Sequence, residues 1–196
     1  MPHPIVYLAR HGETEWSLSG QHTGLTDLPL TPHGEALAAK LKKRLDGMQF
    51  ARVFTSPLQR ARRTCELAGF GPVAEVLPDL VEWNYGDYEG IKTHDIHKER
   101  PDWDLFKHGA PNGESVHQVT VRANRVIETL RGVDGDALCF SSGHFLRALA
   151  ACWLGLGAGG GRHFVLSTTS LSALGYEHNV HEPVIKLWDE TGYLTE

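Results

Sequence analysis

The sequence predicts an α/β fold: a three-layer α/β/α sandwich built on a mostly parallel central sheet. Short apolar segments that are typical of buried strands alternate with longer amphipathic segments that are typical of helices, and this alternation favours a parallel sheet covered on both faces. The first strand is the clearest, since Ile5 to Ala9 is an apolar run that ends before the turn residue Gly12. The chain has 196 residues and no internal repeat, so we expect a single domain over residues 1–196.

The segment after the first strand is a polar loop followed by a helix. Residues 15–30 contain glycine and proline breakers and exceed the length of a plain connection, so we predict that they form a ligand-binding loop. Thr31 and Pro32 are typical of a helix start, and leucines four residues apart extend this helix to about Gly47. The next predicted elements are a strand at 51–55, a helix at 56–68 and a strand at 73–77.

The second half of the chain contains one unusual loop and one long helix. Residues 82–90 are dense in aromatic, acidic and glycine residues, which favours an ordered loop over a helix or a central strand. Ser115 is typical of an N-cap, and apolar residues recur on one helix face from there to about Arg131. Residues 155–161 are rich in glycine but lack the strand and lysine of a nucleotide-binding loop, so we predict a flexible connector. The other predicted elements are a helix at 93–99, a loop at 111–115, a strand at 137–141, a helix at 144–154, and strands at 172–176 and 184–188.

The composition excludes several classes of function. The formal net charge of −5 does not support nucleic-acid binding, and it means that a local basic cluster must attract any anionic substrate. No apolar run approaches the roughly 18 residues that a membrane span needs. Three widely spaced cysteines lie in apolar segments, and the chain start leads into the first strand without a signal peptide. These features predict a cytoplasmic protein with buried, reduced thiols.

Metal sites and oligomers receive little support from the sequence. The chain has 12 histidines, but no pair has a clear metal-ligand spacing, and His94 and His97 are better explained as exposed helix residues. We therefore expect no metal. The late apolar segments at 166–174 and 184–187 are either core or the edge of a dimer, so a homodimer stays open.

Polar side chains from distant segments are expected to meet at one edge of the sheet. Arg10 and His11 follow the first strand, Arg60 follows the second, and residues 141–144 follow a later one. The carboxyl ends of parallel strands meet at the same edge, so these groups form an anion pocket. Glu82 beside such a pocket suits acid–base work on a leaving group. Taken singly, each residue has a simpler explanation as a surface arginine, a structural histidine or a solvated acid.

Motifs spread over nearly the whole chain resemble those of one family. They lie at residues 10–16 (RHGETEW), 23–27 (TGLTD), 30–34 (LTPHG), 55–61 (TSPLQRA) and 82–90 (EWNYGDYEG). These motifs are similar to those of the histidine phosphatase superfamily, also called phosphoglycerate-mutase-like, and most of all to its branch of sugar bisphosphatases and broad-specificity acid phosphatases. The resemblance implies the α/β/α fold and a phosphatase that acts on a small phosphorylated metabolite, such as a sugar phosphate or a phosphoglycerate-like ester. It implies no cofactor and no metal.

The resemblance also implies roles for individual residues. His11 would be the nucleophile that becomes a phosphohistidine, while Arg10 and Arg60 clamp the phosphoryl oxygens. Glu82 would protonate the leaving alkoxide and then activate water. The implied substrate-binding residues are Ser17, Gln21, Thr23, Gly24, Tyr85, Gly143 and His144. The aromatic residues expected around the leaving group are Trp16, His22, Trp83, Tyr85 and Trp103, with loop packing as an equal explanation for Trp83 and Trp103.

One position departs from the family pattern. Arg147 fits the arginine that lies five residues after the family's second catalytic histidine, and this register places that histidine at Ser142. His144 corresponds to a further histidine found in some relatives. A serine hydroxyl brings no positive charge and is shorter than imidazole. We therefore expect phosphate binding with slowed turnover, unless His144 swings in.

Three functions stay open from the sequence. The chain lacks the long insertions of the mutase branch, so a phosphomonoester hydrolase is favoured over a phosphoglycerate mutase. The third function is a phospho-ligand binding protein whose catalysis is impaired by Ser142.

Overall fold

Strands form one mixed, six-stranded sheet at the centre of the molecule. The structure is a computed structural model that describes residues 3–195, so the predictions that involve Met1, Pro2 and Glu196, including the outer bounds of the 1–196 domain, lie outside the described residues. The strands are β1 (Val6–Arg10), β2 (Arg52–Thr55), β3 (Ala74–Val76), β4 (Ala137–Ser141), β5 (Leu171–Tyr176) and β6 (Pro183–Glu190). Each predicted strand is confirmed, with bounds that shift by no more than about two residues.

The strand order explains where polar side chains collect. The order is β3-β2-β4-β1-β5-β6, in which β3, β2, β4 and β1 are parallel and β5 is antiparallel to both of its neighbours, β1 and β6. The prediction of a mostly parallel sheet is thus confirmed. Arg10 at the end of β1 lies opposite Ser141 at the end of β4, and Thr55 at the end of β2 lies opposite Phe140. The three central strands therefore end at the same edge.

Helices cover both faces of this sheet. They are α1 (Glu15–Ser19), α2 (Pro32–Arg44), α3 (Gln59–Leu67), α4 (Thr93–Glu99), α5 (Leu105–His108), α6 (Val116–Arg131) and α7 (Gly143–Trp153). Leu8 of β1 packs in the larger core with α6 and α7, whereas Ala9 packs on the other face with Leu41 of α2 and Ala61 of α3. This two-sided burial produces the predicted three layers. No helix within residues 3–195 is long and apolar enough to cross a membrane.

The predicted loop at 15–30 begins with a short helix, α1. Thr14 forms a capping box in which its side chain accepts a hydrogen bond from the Ser17 amide, and the Ser17 hydroxyl accepts one from the Thr14 amide. Gly20 ends the helix in the left-handed conformation, with φ of 81°. The rest of the segment is irregular, as predicted.

The prediction of a flexible connector at 155–161 is wrong. Residues Ala158–His163 form a 3-10 helix in which Ala158 and Gly161 are fully buried. A Cβ on Gly161 would lie 2.6 Å from the Phe106 ring and 2.9 Å from the carbonyl carbon of Arg147. Glycine is therefore needed here for close packing against α5 and α7 rather than for mobility.

The loop at 82–90 is ordered, as predicted, and contains the 3-10 turn Gly86–Tyr88. Gly86 has φ of 51°, and a Cβ there would lie 2.1 Å from the carbonyl oxygen of Pro111. Both the backbone angle and the contact require glycine. The turn thereby fixes the path of the chain immediately after Glu82.

Candidate active site

A cavity of about 240 Å³ opens at the carboxyl edge of β1 and β4. Most of the predicted site residues line it, namely Arg10, His11, Ser17, Gln21, Thr23, Glu82, Tyr85, Gly143 and His144. Within the described part of the chain, the predicted residues that do not line it are Gly24, Arg60 and Ser142. The residues that line it without having been predicted as site residues include Gly20, Thr93, Arg147 and Leu166.

His11 is held by its backbone and by one ring nitrogen. Its amide donates to the carbonyl oxygen of Ser141 at 2.9 Å, and its carbonyl oxygen accepts from the Thr169 amide at 3.1 Å. His11 Nδ1 lies 2.7 Å from the carbonyl oxygen of Gly12. Because a carbonyl oxygen only accepts, Nδ1 carries the proton and Nε2 keeps its lone pair.

The surroundings of His11 keep its imidazole neutral. The side chain is 4% exposed, and burial is the main reason that its pKa is lowered well below 6.5. The positive charges of Arg60 and Arg10 lower the pKa further, while the hydrogen bond to Gly12 opposes this. A neutral imidazole with a free Nε2 lone pair is the form that attacks phosphorus.

Arg10 presents part of its guanidinium to the cavity. Its Nη1 donates to the carbonyl oxygen of Leu166 at 2.5 Å, whereas its Nε is buried without a hydrogen-bond partner among residues 3–195. A Cβ on Gly143 would lie 3.1 Å from both Arg10 Cζ and Arg10 Nε. Glycine at 143 therefore lets the start of α7 approach the guanidinium closely.

Arg60 organises the loop that follows α1. Its side chain is fully buried, and it donates to the carbonyl oxygens of Thr26 at 2.9 Å, Thr23 at 3.1 Å and Gly24 at 2.7 Å. The Gly24 amide, which the resemblance assigned to the phosphate, donates instead to Glu89 Oε1 at 2.8 Å. The loop is thus held by a guanidinium on its carbonyls and by a carboxylate on its amides, and this arrangement explains why Gly24 is absent from the cavity lining described above.

Glu82 occupies the start of α7. Its Oε2 accepts from the His144 amide at 2.9 Å, and its Oε1 accepts from the Phe145 amide at 2.7 Å and the Trp83 amide at 2.8 Å. A carboxyl group at a helix N-terminus accepts hydrogen bonds from amides that have no partner within the helix. Glu82 therefore joins the acidic loop to the helix that carries the predicted second catalytic position.

Ser142 is the N-cap residue of α7 but does not cap it. The side chain is fully buried, and its Oγ has no hydrogen-bond partner within the described chain. Glu82 supplies the acceptor that an N-cap serine usually provides. The hydroxyl is therefore unpartnered among residues 3–195, and Ser142 is not one of the residues that line the cavity.

Unpartnered buried atoms gather around His11. For residues 3–195, the buried side-chain atoms without a hydrogen-bond partner are Arg10 Nε, Arg60 Nε, Ser142 Oγ, Thr169 Oγ1 and Ser170 Oγ. Backbone hydrogen bonds join these segments to β1. The carbonyl oxygen of Ser141, which precedes Ser142, accepts from the His11 amide, and the Thr169 amide donates to the His11 carbonyl oxygen. The Ser170 carbonyl oxygen accepts from the Arg10 amide at 3.1 Å. Buried donors are normally satisfied in proteins, and Arg10, which lines the cavity, is the member of this cluster that is placed to meet an entering oxyanion.

Thr169 also carries backbone strain. Its φ is 60°, a left-handed value that is rare for a β-branched residue. Its carbonyl oxygen accepts a hydrogen bond from the Tyr193 hydroxyl. The residue is thereby fixed on both sides while its amide holds His11, and such outliers often occur beside reacting groups.

A buried ion pair supports the loop behind Glu82. Arg122 of α6 binds Glu114 with Nε at 2.8 Å from Oε1 and Nη2 at 2.7 Å from Oε2. The same guanidinium donates to the carbonyl oxygens of Asp79 at 2.7 Å, Val81 at 2.8 Å and Glu82 at 3.3 Å. The sequence analysis did not predict a role for Arg122. Its position within the apolar face of α6 is the sequence feature that could have indicated a buried, paired arginine.

Part of the cavity wall combines an aromatic ring with a second guanidinium. Arg147 lines the cavity, donates from Nε to the carbonyl oxygen of Gly161 at 3.1 Å, and stacks 4.6 Å above the Phe106 ring. Its terminal nitrogens have no hydrogen-bond partner among the described residues. Arg147 served in the sequence analysis only to set the register, yet it lies one helical turn after Gly143 and therefore on the same face.

The remaining predicted wall residues divide into two groups. Trp16 and His22 line the cavity, whereas Trp83 and Trp103 are buried and donate from Nε1 to backbone carbonyls, so loop packing is the correct explanation for both. Ser17 also lines the cavity, but its hydroxyl is engaged in the capping box of α1. The Gln21 side chain is also hydrogen-bonded within the protein: it donates to the Gly90 carbonyl oxygen at 2.8 Å and accepts from the Ser19 hydroxyl at 2.7 Å.

Comparisons with known proteins agree with this geometry. Residues 6–191 match the family described as the histidine phosphatase superfamily, branch 1. The chain is 41% identical over 182 residues to an acid phosphatase of Mycobacterium tuberculosis, covering 90% of this chain and 89% of the relative. It is 39% identical over 188 residues to sedoheptulose 1,7-bisphosphatase of Saccharomyces cerevisiae, covering 79% of this chain and 69% of the relative. A solved structure of a Mycobacterium tuberculosis open reading frame product has a TM-score of 0.91 and 38% identity, covering 96% of this chain and 98% of that chain. These findings confirm the resemblance that the motifs indicated and the predicted fold.

Proposed function

Since the chain belongs to the histidine phosphatase superfamily, branch 1, we propose that it hydrolyses phosphomonoesters of small metabolites through a phosphohistidine at His11. The observation that carries this proposal is the environment of that ring. His11 is neutral, its Nδ1 is bound to Gly12, and the unpartnered Nε atoms of Arg10 and Arg60 lie buried in the surrounding site. Two fixed positive charges beside a neutral nucleophile stabilise the charge on a phosphoryl group as it is transferred.

The proposed reaction has two steps. In the first, His11 Nε2 bonds to phosphorus, the bond to the leaving oxygen breaks, and Glu82 gives its proton to that oxygen. In the second, Glu82 takes a proton from water, the water oxygen bonds to phosphorus, and the bond between phosphorus and nitrogen breaks. Inorganic phosphate leaves and His11 returns to its neutral form.

Ser142 is expected to slow this reaction. A buried hydroxyl takes the place of an imidazole, so the site lacks one preorganised donor, and such a loss costs about 2.7–4 kcal/mol, or a factor of ~10²–10³ in rate. His144 does not compensate by swinging in, because Tyr85 holds its ring. The Ser142→His variant should therefore hydrolyse phenyl phosphate faster than the wild type. An equal rate in both proteins would show that Ser142 does not limit turnover.

The cavity favours leaving groups that carry oxygen acceptors. Arg147 adds a positive charge to the cavity wall, and its terminal nitrogens have no hydrogen-bond acceptor among the described residues. Two of the relatives that the chain resembles are a sugar bisphosphatase and an acid phosphatase. We infer that sugar phosphates and related esters are the substrates, with free phosphate as a product.

Rapid-quench labelling tests the proposal directly. The chain is mixed with ³²P-labelled fructose 1,6-bisphosphate, and both acid-labile protein label and free phosphate are followed over time. We expect label on His11 followed by release of phosphate, no label in His11→Ala, and normal labelling in the control His33→Asn, since His33 is an exposed residue of α2.

Other outcomes have definite meanings. Label that returns to a sugar product indicates a mutase, and label that stays on the protein indicates a phospho-ligand binding protein with blocked hydrolysis. Absence of label in both the wild type and Ser142→His contradicts a nucleophilic role for His11.

A further inference from the structure

Tyr85 and His144 form a hydrogen-bonded pair inside the cavity. The Tyr85 hydroxyl oxygen lies 2.5 Å from His144 Nδ1. Tyr85 comes from the acidic loop and His144 from the first turn of α7, so the pair joins two elements that are far apart in sequence. The resemblance implies that both residues bind substrate, but it does not say which atom does so, and the two-step reaction assigns no proton transfer to this pair.

Both members of the pair are neutral. Burial raises the pKa of the Tyr85 hydroxyl well above 10, and Glu82 raises it further. Burial lowers the pKa of His144 well below 6.5, and Arg147, His22 and Arg10 act in the same direction. Proton exchange between the two groups is therefore not expected, and the pair works as a fixed hydrogen bond.

The direction of this hydrogen bond defines the tautomer of His144. Among residues 3–195, the Tyr85 hydroxyl has no hydrogen-bond partner other than His144, so its proton is satisfied within the protein when the hydroxyl donates to Nδ1. His144 Nδ1 is then unprotonated and Nε2 carries the hydrogen. Nε2 has no partner in the described chain and is not among its buried unpartnered atoms, so it is accessible from the cavity.

Ring contacts hold His144 in the cavity wall. The ring of His144 packs against Phe106, with centroids 5.4 Å apart, and against His22, with centroids 5.9 Å apart. Its backbone amide is held by Glu82 Oε2 at 2.9 Å. The donor thus belongs to the wall that carries Arg147 rather than to the phosphoryl site around His11.

We propose that His144 selects the leaving group with a neutral Nε2–H donor, and that Tyr85 is the positioning residue that fixes its tautomer. This inference rests on the proposed function and names a specificity determinant of the same site. The chemistry that it recognises is an oxygen acceptor on the leaving group, either a hydroxyl or an anionic oxygen, which Arg147 attracts from the same wall. A leaving group without such an oxygen gains nothing from His144.

Nitrogen NMR of the free protein tests the tautomer without any substrate. In ¹⁵N-histidine-labelled protein, we expect His144 to show the Nε2–H pattern, with the signal assigned by its loss in His144→Gln. Tyr85→Phe removes the donor to Nδ1, so the pattern should change toward a mixture of tautomers. Tyr176→Phe is the matched control, because Tyr176 is a buried tyrosine of β5 that packs against Trp153 away from the cavity. An Nδ1–H pattern in the wild type would overturn the proposal.

A pair of substrates tests the role in selection. Fructose 1,6-bisphosphate has many oxygen acceptors on its leaving group, whereas phenyl phosphate has none. For Tyr85→Phe we expect the single-turnover kcat/KM to fall about tenfold for the bisphosphate and less than about twofold for phenyl phosphate, the size of one hydrogen bond. His144→Gln keeps an N–H donor near the Nε2 position and should retain more of the bisphosphate rate than His144→Leu.

The outcomes separate this inference from the proposed function. Equal losses on both substrates would mean that Tyr85 has only a structural role, and the inference would fail while the phosphatase assignment stands. Absence of turnover and of His11 labelling in every variant would refute the proposed function, and the NMR pattern would still decide the tautomer.

Discussion

Arg122→Met is the change for which the structure gives the clearest expected cost. The guanidinium of Arg122 binds both oxygens of Glu114 and the carbonyl oxygens of Asp79, Val81 and Glu82. The side chains of Arg122 and Glu114 are 8% and 20% exposed. Removing one member of such a pair leaves a nearly buried charge without compensation, which costs about 3–5 kcal/mol. Since typical domains have a free energy of unfolding of about 5–15 kcal/mol, the variant should still fold but should keep only a small free energy of unfolding.

Equilibrium unfolding in urea measures this cost, and the chain provides its own control. Arg125 lies on the same helix and pairs with Asp79, but the Arg125 side chain is exposed and that of Asp79 is partly exposed, so Arg125→Met should change the free energy of unfolding very little. The double variant Arg122→Met with Glu114→Gln removes the unpaired charge while keeping an acceptor for the Asn84 amide. It should recover a large part of the lost stability.

Activity should follow stability in this series. The carbonyl of Glu82 loses a donor in Arg122→Met, so the carboxylate that caps α7 is less well placed, and kcat should fall at a temperature where the variant is folded. Equal unfolding free energies for Arg122→Met and Arg125→Met would refute the reasoning. So would a double variant that is less stable than Arg122→Met alone, since the cost would then lie elsewhere than in the stranded carboxylate.

The other expected outcomes concern acid stability and two tight contacts. Burial lowers the pKa of His22 to about 4, so between pH 6.5 and 4 its imidazole binds a proton in the unfolded chain that it does not bind in the folded chain. This one group should lower the free energy of unfolding by about 1.4 kcal/mol for each unit by which the pH falls, in addition to the effects of His11 and His144, so urea unfolding of His22→Asn should show a shallower dependence on pH. Gly86→Ala should destabilise the fold by about 3 kcal/mol, seen as a lower thermal midpoint, because the new Cβ meets the Pro111 carbonyl oxygen at a positive φ; an unchanged midpoint would contradict this. Thr64→Val should cost about 1–3 kcal/mol in urea unfolding, because Thr64 Oγ1 accepts the Gly12 amide at 2.9 Å; if the loss is absent, the amide finds another acceptor.

The sheet and the residues at its edge were predictable because their signals are local. Apolar runs that end in Arg10-His11 and Ser141-Ser142 identify central strands, and the parallel order brings their ends together. The short helix α1 was missed because it has five residues and no apolar periodicity, and it depends on the capping box of Thr14. A helix of that length is specified by its caps rather than by a repeating pattern.

The errors share a physical origin in long-range packing. The glycines at 155–161 look flexible in sequence, but Gly161 is glycine because Phe106 and the backbone of Arg147 leave no room for a Cβ. The Gly24 amide donates a hydrogen bond to Glu89, and no local sequence pattern in either segment predicts that contact. Sequence patterns indicate which groups reach the edge of the sheet, whereas the partners of those groups depend on the completed fold.

The left-handed Thr169 has a consequence for adaptation to heat. A residue in this conformation costs on the order of 1–3 kcal/mol unless it is glycine or asparagine, so Thr169→Gly or Thr169→Asn relieves an internal tension of the folded chain. The same amide, however, holds the carbonyl of His11. Substitution at this position is therefore an accessible way to increase thermal stability, but it would also hold His11 less firmly.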